Sequence, residues 1–289
     1  MFSDAYKLAN QYTRPVIVMK RTERGVVSTS FATYILLNKD GWALTASHVM
    51  SDAAIALQHA QERSEYERKA AEIENDASLS PGKKKHDLRQ LTKNYEWITN
   101  LSYWWGHDGV GGGNVVADSR RDLAAVQLTN IGPLNVTAFP TFAPAGEEMS
   151  PGTSLCRLGF PFHTVNGRFD DATKNFRIDN MPPISMFPND GIHTRIMMQV
   201  DANTGIQTKF LETSTPGLRG QSGGPIFDRT GRIWAIQSRT LSLPLGFAPK
   251  VKQGGKEFVE HQFIHIGVGA HVDEVRDFLT ANKIDFATK

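Results

Sequence analysis

Two kinds of hydrophobic spacing divide the chain. At both ends, short runs rich in β-branched and apolar residues alternate with Gly- and Asp-containing turns, the pattern of many short strands. Residues 16–19 and 26–37 predict two strands, and Asn38-Lys39-Asp40-Gly41 predicts a hairpin turn that delivers residues 42–45 as a third. Further strands are predicted at 123–128, 154–160, 207–213, 225–227, 233–238 and 263–270, with Asp228-Arg229-Thr230-Gly231 as a turn between two of them. Residues 2–12 predict a short helix with Ser3 as its cap. Residues 272–284 predict a closing helix, because Val272, Val275, Phe278 and Leu279 fall on one face. Many short strands and a final helix suit two small Greek-key barrels with a site in the cleft between them.

The middle of the chain reads differently. Residues from about 52 to 101 are rich in Ala, Glu, Lys and Arg and lose the strand alternation. Tyr66, Ala70, Ile73 and Ala77 lie at helical spacing, as do Leu88, Leu91, Tyr95 and Ile98. Ser80-Pro81-Gly82 breaks the pattern, with Ser80 placed to cap a second helix that has Pro81 at its first position. The expectation is an antiparallel helical hairpin inserted in a loop of an N-terminal barrel. Its charges are mixed in sign, so Lys83-Lys84-Lys85 reads as solvated loop and not as a polybasic surface. Tyr103-Trp104-Trp105 is expected to pack the hairpin onto the barrel, the alternative being an exposed partner site.

Composition narrows the function classes. A chain of 289 residues with 40% hydrophobic content can build a proper core, in one large domain or two. A net charge of +2, dispersed along the chain, argues against nucleic acid as a partner. Cys156 is the single cysteine, which excludes an intramolecular disulfide framework. The start of the chain is not a basic-then-apolar signal segment and no apolar run approaches membrane-spanning length, so a cytoplasmic location without membrane attachment is expected. His59, His86, His107, His163, His193, His261, His265 and His271 show no metal-ligand spacing, and neither a metal nor another cofactor is expected.

The candidate chemistry sits in three segments. Gly220-Gln221-Ser222-Gly223-Gly224-Pro225 is a Gly-rich turn around a serine, able to bend sharply and leave the Gly220 and Ser222 N–H groups pointing at one spot. A serine hydroxyl is a weak nucleophile until a base lies within hydrogen-bond reach. Trp42-Ala43-Leu44-Thr45-Ala46-Ser47-His48-Val49 is an apolar strand ending in a small-residue turn that carries a histidine. Arg121-Asp122-Leu123-Ala124-Ala125-Val126-Gln127-Leu128 opens on an aspartate and runs on as a strand. Each motif alone has a plain structural reading: a turn, a strand-end histidine, a cap. Gly159-Phe160-Pro161 reads only as a strand end.

Together, in this chain order, the three motifs resemble those of the chymotrypsin/trypsin-like serine proteases, over roughly residues 15–50 and 110–280, and in character the HtrA-like and other bacterial members. The resemblance implies an all-β core of two six-stranded Greek-key barrels, with the helical hairpin inserted and a C-terminal helix. Residues 1–135 would form the first barrel, with the insertion at about 52–101, and residues 136–289 the second barrel with its closing helix. It implies a serine endopeptidase in which Ser222 is the nucleophile, His48 the base and Asp122 its orienter, with Gly220 and Ser222 N–H groups as the oxyanion hole. Many members place an aspartate before the nucleophile to pair with a new N-terminal amine. Gln221 stands there instead and no Ile-Val-Gly-Gly-type sequence lies near the start, so activation by that route is not expected.

The resemblance also maps the specificity pocket to Pro216 and Gly217, to Ser238, Arg239 and Thr240, and to Gly267. No acidic residue lies near Pro216, which disfavours a trypsin-like demand for Lys or Arg. A small or apolar preference is the default; Arg239 or His265 could favour an acidic residue, or either could be a surface group. The substrate would be a protein or peptide, with a protein partner possible through the helical insert. The contrasting reading is a binding module on a protease fold that works through the hairpin, and an esterase on the same fold stays open.

Overall fold

The computed structural model describes every residue of the chain except 180 and 182. A first helix, α1 (Ser3–Tyr12), leads into β1 (Thr13–Thr22), β2 (Val27–Leu36) and β3 (Trp42–Thr45). Two helices follow, α2 (Ser47–Asn75) and α3 (Pro81–Gln90), then β4 (Ile98–Trp104), β5 (Gly111–Asp118) and β6 (Leu123–Thr129). These six strands make one curled sheet in the order β4-β1-β2-β3-β6-β5. The second half contributes β7 (Thr141–Phe142), β8 (Ser154–Arg157), β9 (Asn166–Asp170), β10 (Asn175–Asp179), β11 (Asn189–Val200) and β12 (Gln207–Thr213). It continues through β13 (Pro225–Phe227), β14 (Ile233–Pro244), β15 (Lys250–Gln253), β16 (Lys256–Val259), β17 (Phe263–His271), α4 (Val272–Ala281) and β18 (Ala287–Thr288).

The second sheet runs β13-β8-β11-β12-β17-β14-β7-β18, and β13 also pairs with β14. That extra pairing closes six of its strands into a ring, and β7 and β18 are appended to β14 outside it. The expected six-stranded second barrel is therefore present, enlarged by two short strands and by the separate hairpins β9–β10 and β15–β16. The core that binds the halves draws Ile35, Leu44 and Leu123 from the first sheet and Leu155, Phe210, Ile226 and Val268 from the second.

Register explains why the candidate residues meet. Thr45 lies opposite Ala124 and Leu44 opposite Ala125. The chain thus leaves β3 toward His48 beside the point where it enters β6 after Asp122. The 38–41 hairpin forms as expected, with Gly41 in the left-handed region and a Cβ there placed 2.3 Å from the Leu128 carbonyl oxygen.

The insert departs from expectation in its boundaries. The helix starts at Ser47, so His48 sits in its first turn, and it continues unbroken for 29 residues. Only Val49 and Met50 are buried; beyond them α2 is largely exposed and supported by ion pairs such as Arg63–Glu67, Lys69–Glu65 and Arg68–Glu72. Ser80 caps α3 as its sequence implies, accepting the Lys83 N–H at 3.3 Å, with Pro81 at the first position. Leu91, Tyr95 and Ile98 lie beyond α3, and residues 98–104 form β4, paired along β1, instead of completing a helix that ran to 101. Tertiary pairing overrides local periodicity here: Trp97 is buried and clips α2 to the sheet. Its indole donates to Glu62 at 2.9 Å and its ring meets Tyr66 edge-on, while the Ile98 N–H donates to His59 Nδ1 at 3.0 Å. Trp105 is buried, stacked with Tyr103, and its carbonyl accepts the Tyr34 hydroxyl, in the same cluster as Val49 and Met50. Packing is thus the role of this aromatic run.

Of the end-segments, α1 crosses the expected domain line and α4 does not. Helix α1 packs Ala5, Ala9 and Tyr12 into the core of the second half, with Phe2 edge-on to Phe227 and Leu8 against Gly231. Its small residues allow this close approach. Its N-cap position is Phe2, without a side-chain cap bond, so Ser3 does not cap it. Helix α4 buries Val272, Val275, Phe278 and Leu279 on its predicted face and ends at Ala281, short of the expected 284. His271 is its N-cap and accepts the Asp273 N–H.

Replacing residues 69–91 with a short Gly/Ser linker should move the thermal midpoint by less than about 4 °C, since that stretch buries no core residue. Extending the replacement to residues 56–100 removes Trp97 and the start of β4 and should abolish the cooperative transition; circular dichroism melts compare the two. Burial pushes the pKa of His271 down to about 4 despite the Asp273 carboxylate beside it. The unfolded chain, with an ordinary value of about 6.5, then binds more protons between those limits, so stability should fall as pH drops from about 6.5 toward 4. Between pH 7 and 5 the loss from this group is on the order of 1–2 kcal/mol, and His271→Asn, which keeps a capping side chain, should lessen it in urea titrations.

Candidate active site

Ser222 stands on a loop pinned from three sides. The Thr33 N–H donates to the Ser222 carbonyl at 2.8 Å, and the Thr33 hydroxyl to the Gly220 carbonyl at 2.6 Å. The Gly223 N–H donates to the Gln237 carbonyl at 2.8 Å. Gly220 has φ +97°, and a Cβ on it would lie 2.3 Å from the Phe160 carbonyl oxygen, so only glycine fits. Gln221 is fully buried; its side-chain carbonyl accepts the Leu218 N–H at 2.9 Å and closes the loop from within. Among the described residues, the N–H groups of Gly220 and Ser222 donate to no protein acceptor, which leaves both free for an oxygen that becomes anionic.

His48 and Asp122 are joined. His48 Nδ1 lies 3.0 Å from each Asp122 carboxylate oxygen. The same carboxylate accepts the His48 backbone N–H at 3.1 Å and the Ser47 hydroxyl at 3.0 Å, and so caps α2, whose own N-cap residue, Ala46, offers no side-chain acceptor. A fourth bond comes from the second half of the chain: the Ser238 hydroxyl donates to Asp122 at 2.5 Å. Burial alone would raise the Asp122 pKa, but the His48 and Ser238 hydrogen bonds and the neighbouring imidazole outweigh it and hold the carboxyl below its usual range. Asp122 has φ +53°, a conformation aspartate tolerates better than most residues. The His48 side chain is 49% exposed and that of Asp122 13%, so a largely buried carboxylate holds an imidazole that is open to solvent. Among the described residues, Ser222 Oγ has no hydrogen-bond partner, and the His48 ring bonds to Asp122.

A cleft of about 700 Å³ opens beside Ser222, bordered by Phe31, Phe160, Phe162, His163 and Arg219. Phe162 is 77% exposed, with φ +64° and its ring edge-on to Phe187. The 159–161 segment, read from sequence only as a strand end, is therefore one wall of this cleft.

The residues mapped to the specificity pocket divide. Pro216, Gly217, Thr240 and Gly267 gather on one side of the loop: the Thr240 hydroxyl donates to the Gly217 carbonyl at 2.6 Å, and Thr240 faces Gly267 across β14 and β17. Ser238 is placed elsewhere. A bulge in β14 between Gln237 and Arg239 leaves it unpaired and turns its hydroxyl onto Asp122. Arg239 lies over the Phe210 ring at 4.5 Å and donates to Gln199, and His265 is engaged by Ser242 on an exposed stretch of β17. Arg157, which sequence reasoning passed over, reaches the same pocket segment by donating to the Pro216 carbonyl at 2.9 Å. Its signal was a lone arginine within the apolar run 155–160.

Two joined β-barrels with a His–Asp pair on one and a Gly-flanked serine on the other define the class of protein: a serine hydrolase of chymotrypsin-like architecture. The chain belongs to the trypsin-like peptidase domain family, which matches residues 32–236, and it is a serine peptidase. No curated protein matches it by sequence. Among solved structures, the active form of the Rv3671c protease from M. tuberculosis aligns with a TM-score of 0.51 and 11% identity over 99% of this chain and 86% of that one. The HtrA-type protease AlgW, solved with a decapeptide, aligns with a TM-score of 0.51 and 11% identity over 98% of this chain and 68% of that one. At such identities the likeness is one of fold.

The Asp122 hydrogen bonds rank the expected effects of substitution. Asp122→Asn, which favours the wrong histidine tautomer, should slow reaction with a serine-directed fluorophosphonate by roughly 10⁴-fold. Ser238→Ala removes one bond to a charged acceptor and should slow it about 10-fold. Second-order inactivation rates at fixed pH measure both, and equal effects would show that Ser238 matters as much as the His–Asp bond.

Proposed function

We propose that the protein is a serine endopeptidase that cleaves through an acyl-enzyme, with Ser222, His48 and Asp122 as its triad. His48 Nε2 takes the Ser222 hydroxyl proton as Oγ attacks the carbonyl carbon of the scissile bond. The Gly220 and Ser222 N–H groups receive the oxyanion, and His48 then passes the proton to the departing amine. Water repeats the sequence on the ester and releases the acid. The observation that carries this reading is the His48–Asp122 pair, already formed at 3.0 Å, in the presence of two undonated N–H groups on the serine loop. The free Ser222 hydroxyl fits this reading, since such bonds tighten in the substrate complex.

The 29-residue helix that begins beside His48 and exposes its distal length is the part of the molecule suited to selecting a protein substrate or partner. We assign it that recognition role, in an enzyme of limited processing. The contrasting reading, a binding module without chemistry, has less support, because it gives the four-bond arrangement at Asp122 no purpose. The buried, unpaired Cys156, its thiol pushed up to about 11 by burial, is in keeping with a cytoplasmic location.

The test is labelling with a fluorophosphonate probe. Wild-type protein should label at Ser222, and Ser222→Ala should lose labelling and peptide cleavage while its thermal midpoint stays within about 2 °C, since one half-exposed hydroxyl contributes little to stability. Labelling or cleavage that persists in that variant would exclude Ser222 as the nucleophile.

A further inference from the structure

One wall of the cleft beside Ser222 is a segment that takes no part in the chemistry, yet it is tied down at every bend. The Phe160 N–H donates to the Gly220 carbonyl at 3.2 Å. At the other end of the segment, the Thr29 hydroxyl donates to the Val165 carbonyl at 2.5 Å. Between them His163 Nε2 accepts the Ser185 N–H at 2.9 Å, which leaves the ring proton on Nδ1, 3.3 Å from the Phe160 carbonyl. The Phe187 N–H donates to the Gly159 carbonyl at 2.9 Å, and the Phe187 carbonyl accepts from the Gln221 side chain at 3.4 Å. Residues 160–165 are therefore fixed to the loop that carries Ser222.

On this fixed wall one residue is doubly unfavourable. Phe162 has φ +64°, a conformation that bulky side chains rarely adopt, and 77% of it faces water. Its ring contact is with Phe187, itself 41% exposed. Phe31 and Leu218, both half-buried, line the same cleft. The volume, about 700 Å³, is that of a pocket able to enclose a ligand. Because Ser222 and Gly220 are part of the lining, a peptide whose carbonyl sits at Ser222 borders the cleft directly. No carboxylate is among the described residues that line it, and Arg219 is exposed, so water meets its charge. Pro216, Gly217, Thr240 and Gly267 are not among the lining residues, so this cleft is separate from the pocket they were mapped to. The group that suits it is apolar, since such a group would cover rings that otherwise face water.

We propose that this cleft is a subsite for one large apolar residue of the substrate, phenylalanine, tyrosine or leucine, and that Phe162 is its specificity-determining residue. The inference rests on the serine-peptidase reading of Ser222 and names what that site selects. The substrate side chain enters against Phe31, Phe162 and Leu218. It belongs to a residue within about two positions of the cleaved bond, because an extended chain advances only ~3.3 Å per residue.

Mass spectrometry of a digested synthetic peptide library locates the cut and the preferred position. Paired peptides that differ only as Phe or Ala at that position then give kcat/KM, with fluorophosphonate titration counting the active sites in each preparation. Wild type should favour Phe by at least about 10-fold. Phe162→Asn removes the ring but keeps a residue that tolerates the left-handed backbone, and it should reduce the ratio several-fold. Phe162→Leu, still apolar, should retain most of the preference, which separates loss of the contact from loss of the loop. A wild-type enzyme that labels at Ser222 but cleaves no library peptide, or cleaves without a large apolar preference, overturns the inference alone. A preference left unchanged by Phe162→Asn, or lost equally in Phe162→Leu, overturns the role of Phe162. Absence of labelling in wild type would instead overturn the reading of Ser222.

Discussion

The site hangs on one buried carboxylate. Asp122 accepts bonds from the Ser47 hydroxyl, the His48 N–H, His48 Nδ1 and the Ser238 hydroxyl. Those donors come from the start of α2 and from the bulge in β14, so a single side chain joins the helix that carries His48 to the barrel that carries Ser222. Four donors on one carboxylate favour its charged form, and that charge in turn fixes the imidazole with Nε2 turned outward. Losing the carboxylate would remove an orienter, a helix cap and an inter-barrel tie together.

The serine loop is built on the same economy. Thr33 holds it through both its backbone N–H and its hydroxyl, and the Thr45 hydroxyl holds the Thr33 carbonyl at 2.8 Å. Thr45 is the last residue of β3, three before His48. The first barrel thus holds the His48 turn and the Ser222 loop through adjacent strands, and the left-handed Gly220 lets the loop close against Phe160 without a side chain in the way.

What could be read in the sequence was what chemistry demands locally. The turns 45–48 and 220–225 and the Asp122 strand carry their motifs in consecutive residues, and the strands at 207–213 and 225–227 and the face of α4 follow from apolar spacing. What stayed hidden depends on contacts between distant residues. The start of α2 at Ser47 is set by a cap from Asp122, 75 residues away. Strand β4 forms because β1 offers it a partner, although its leading residues also fit a helical period. Strand β16 is exposed along its length, so no buried face announces its hairpin with β15, and β10 alternates, with Phe176 and Ile178 on the packed face, over only five residues. Ser238 looked like pocket wall because a one-residue bulge, which reverses the face a side chain takes, leaves no mark in composition.

The central claim is geometric: Asp122, His48 and the serine loop converge on one reacting carbonyl. The most direct measurement is a crystal structure of the protein inactivated by a peptidyl phosphonate, whose tetrahedral phosphorus stands in for the carbonyl carbon of the intermediate. The account predicts a covalent bond from Ser222 Oγ, a phosphonyl oxygen about 2.7–3.1 Å from the N–H groups of Gly220 and Ser222, and His48 still paired with Asp122. An adduct on another residue, or a phosphonyl oxygen turned away from both N–H groups, would contradict it.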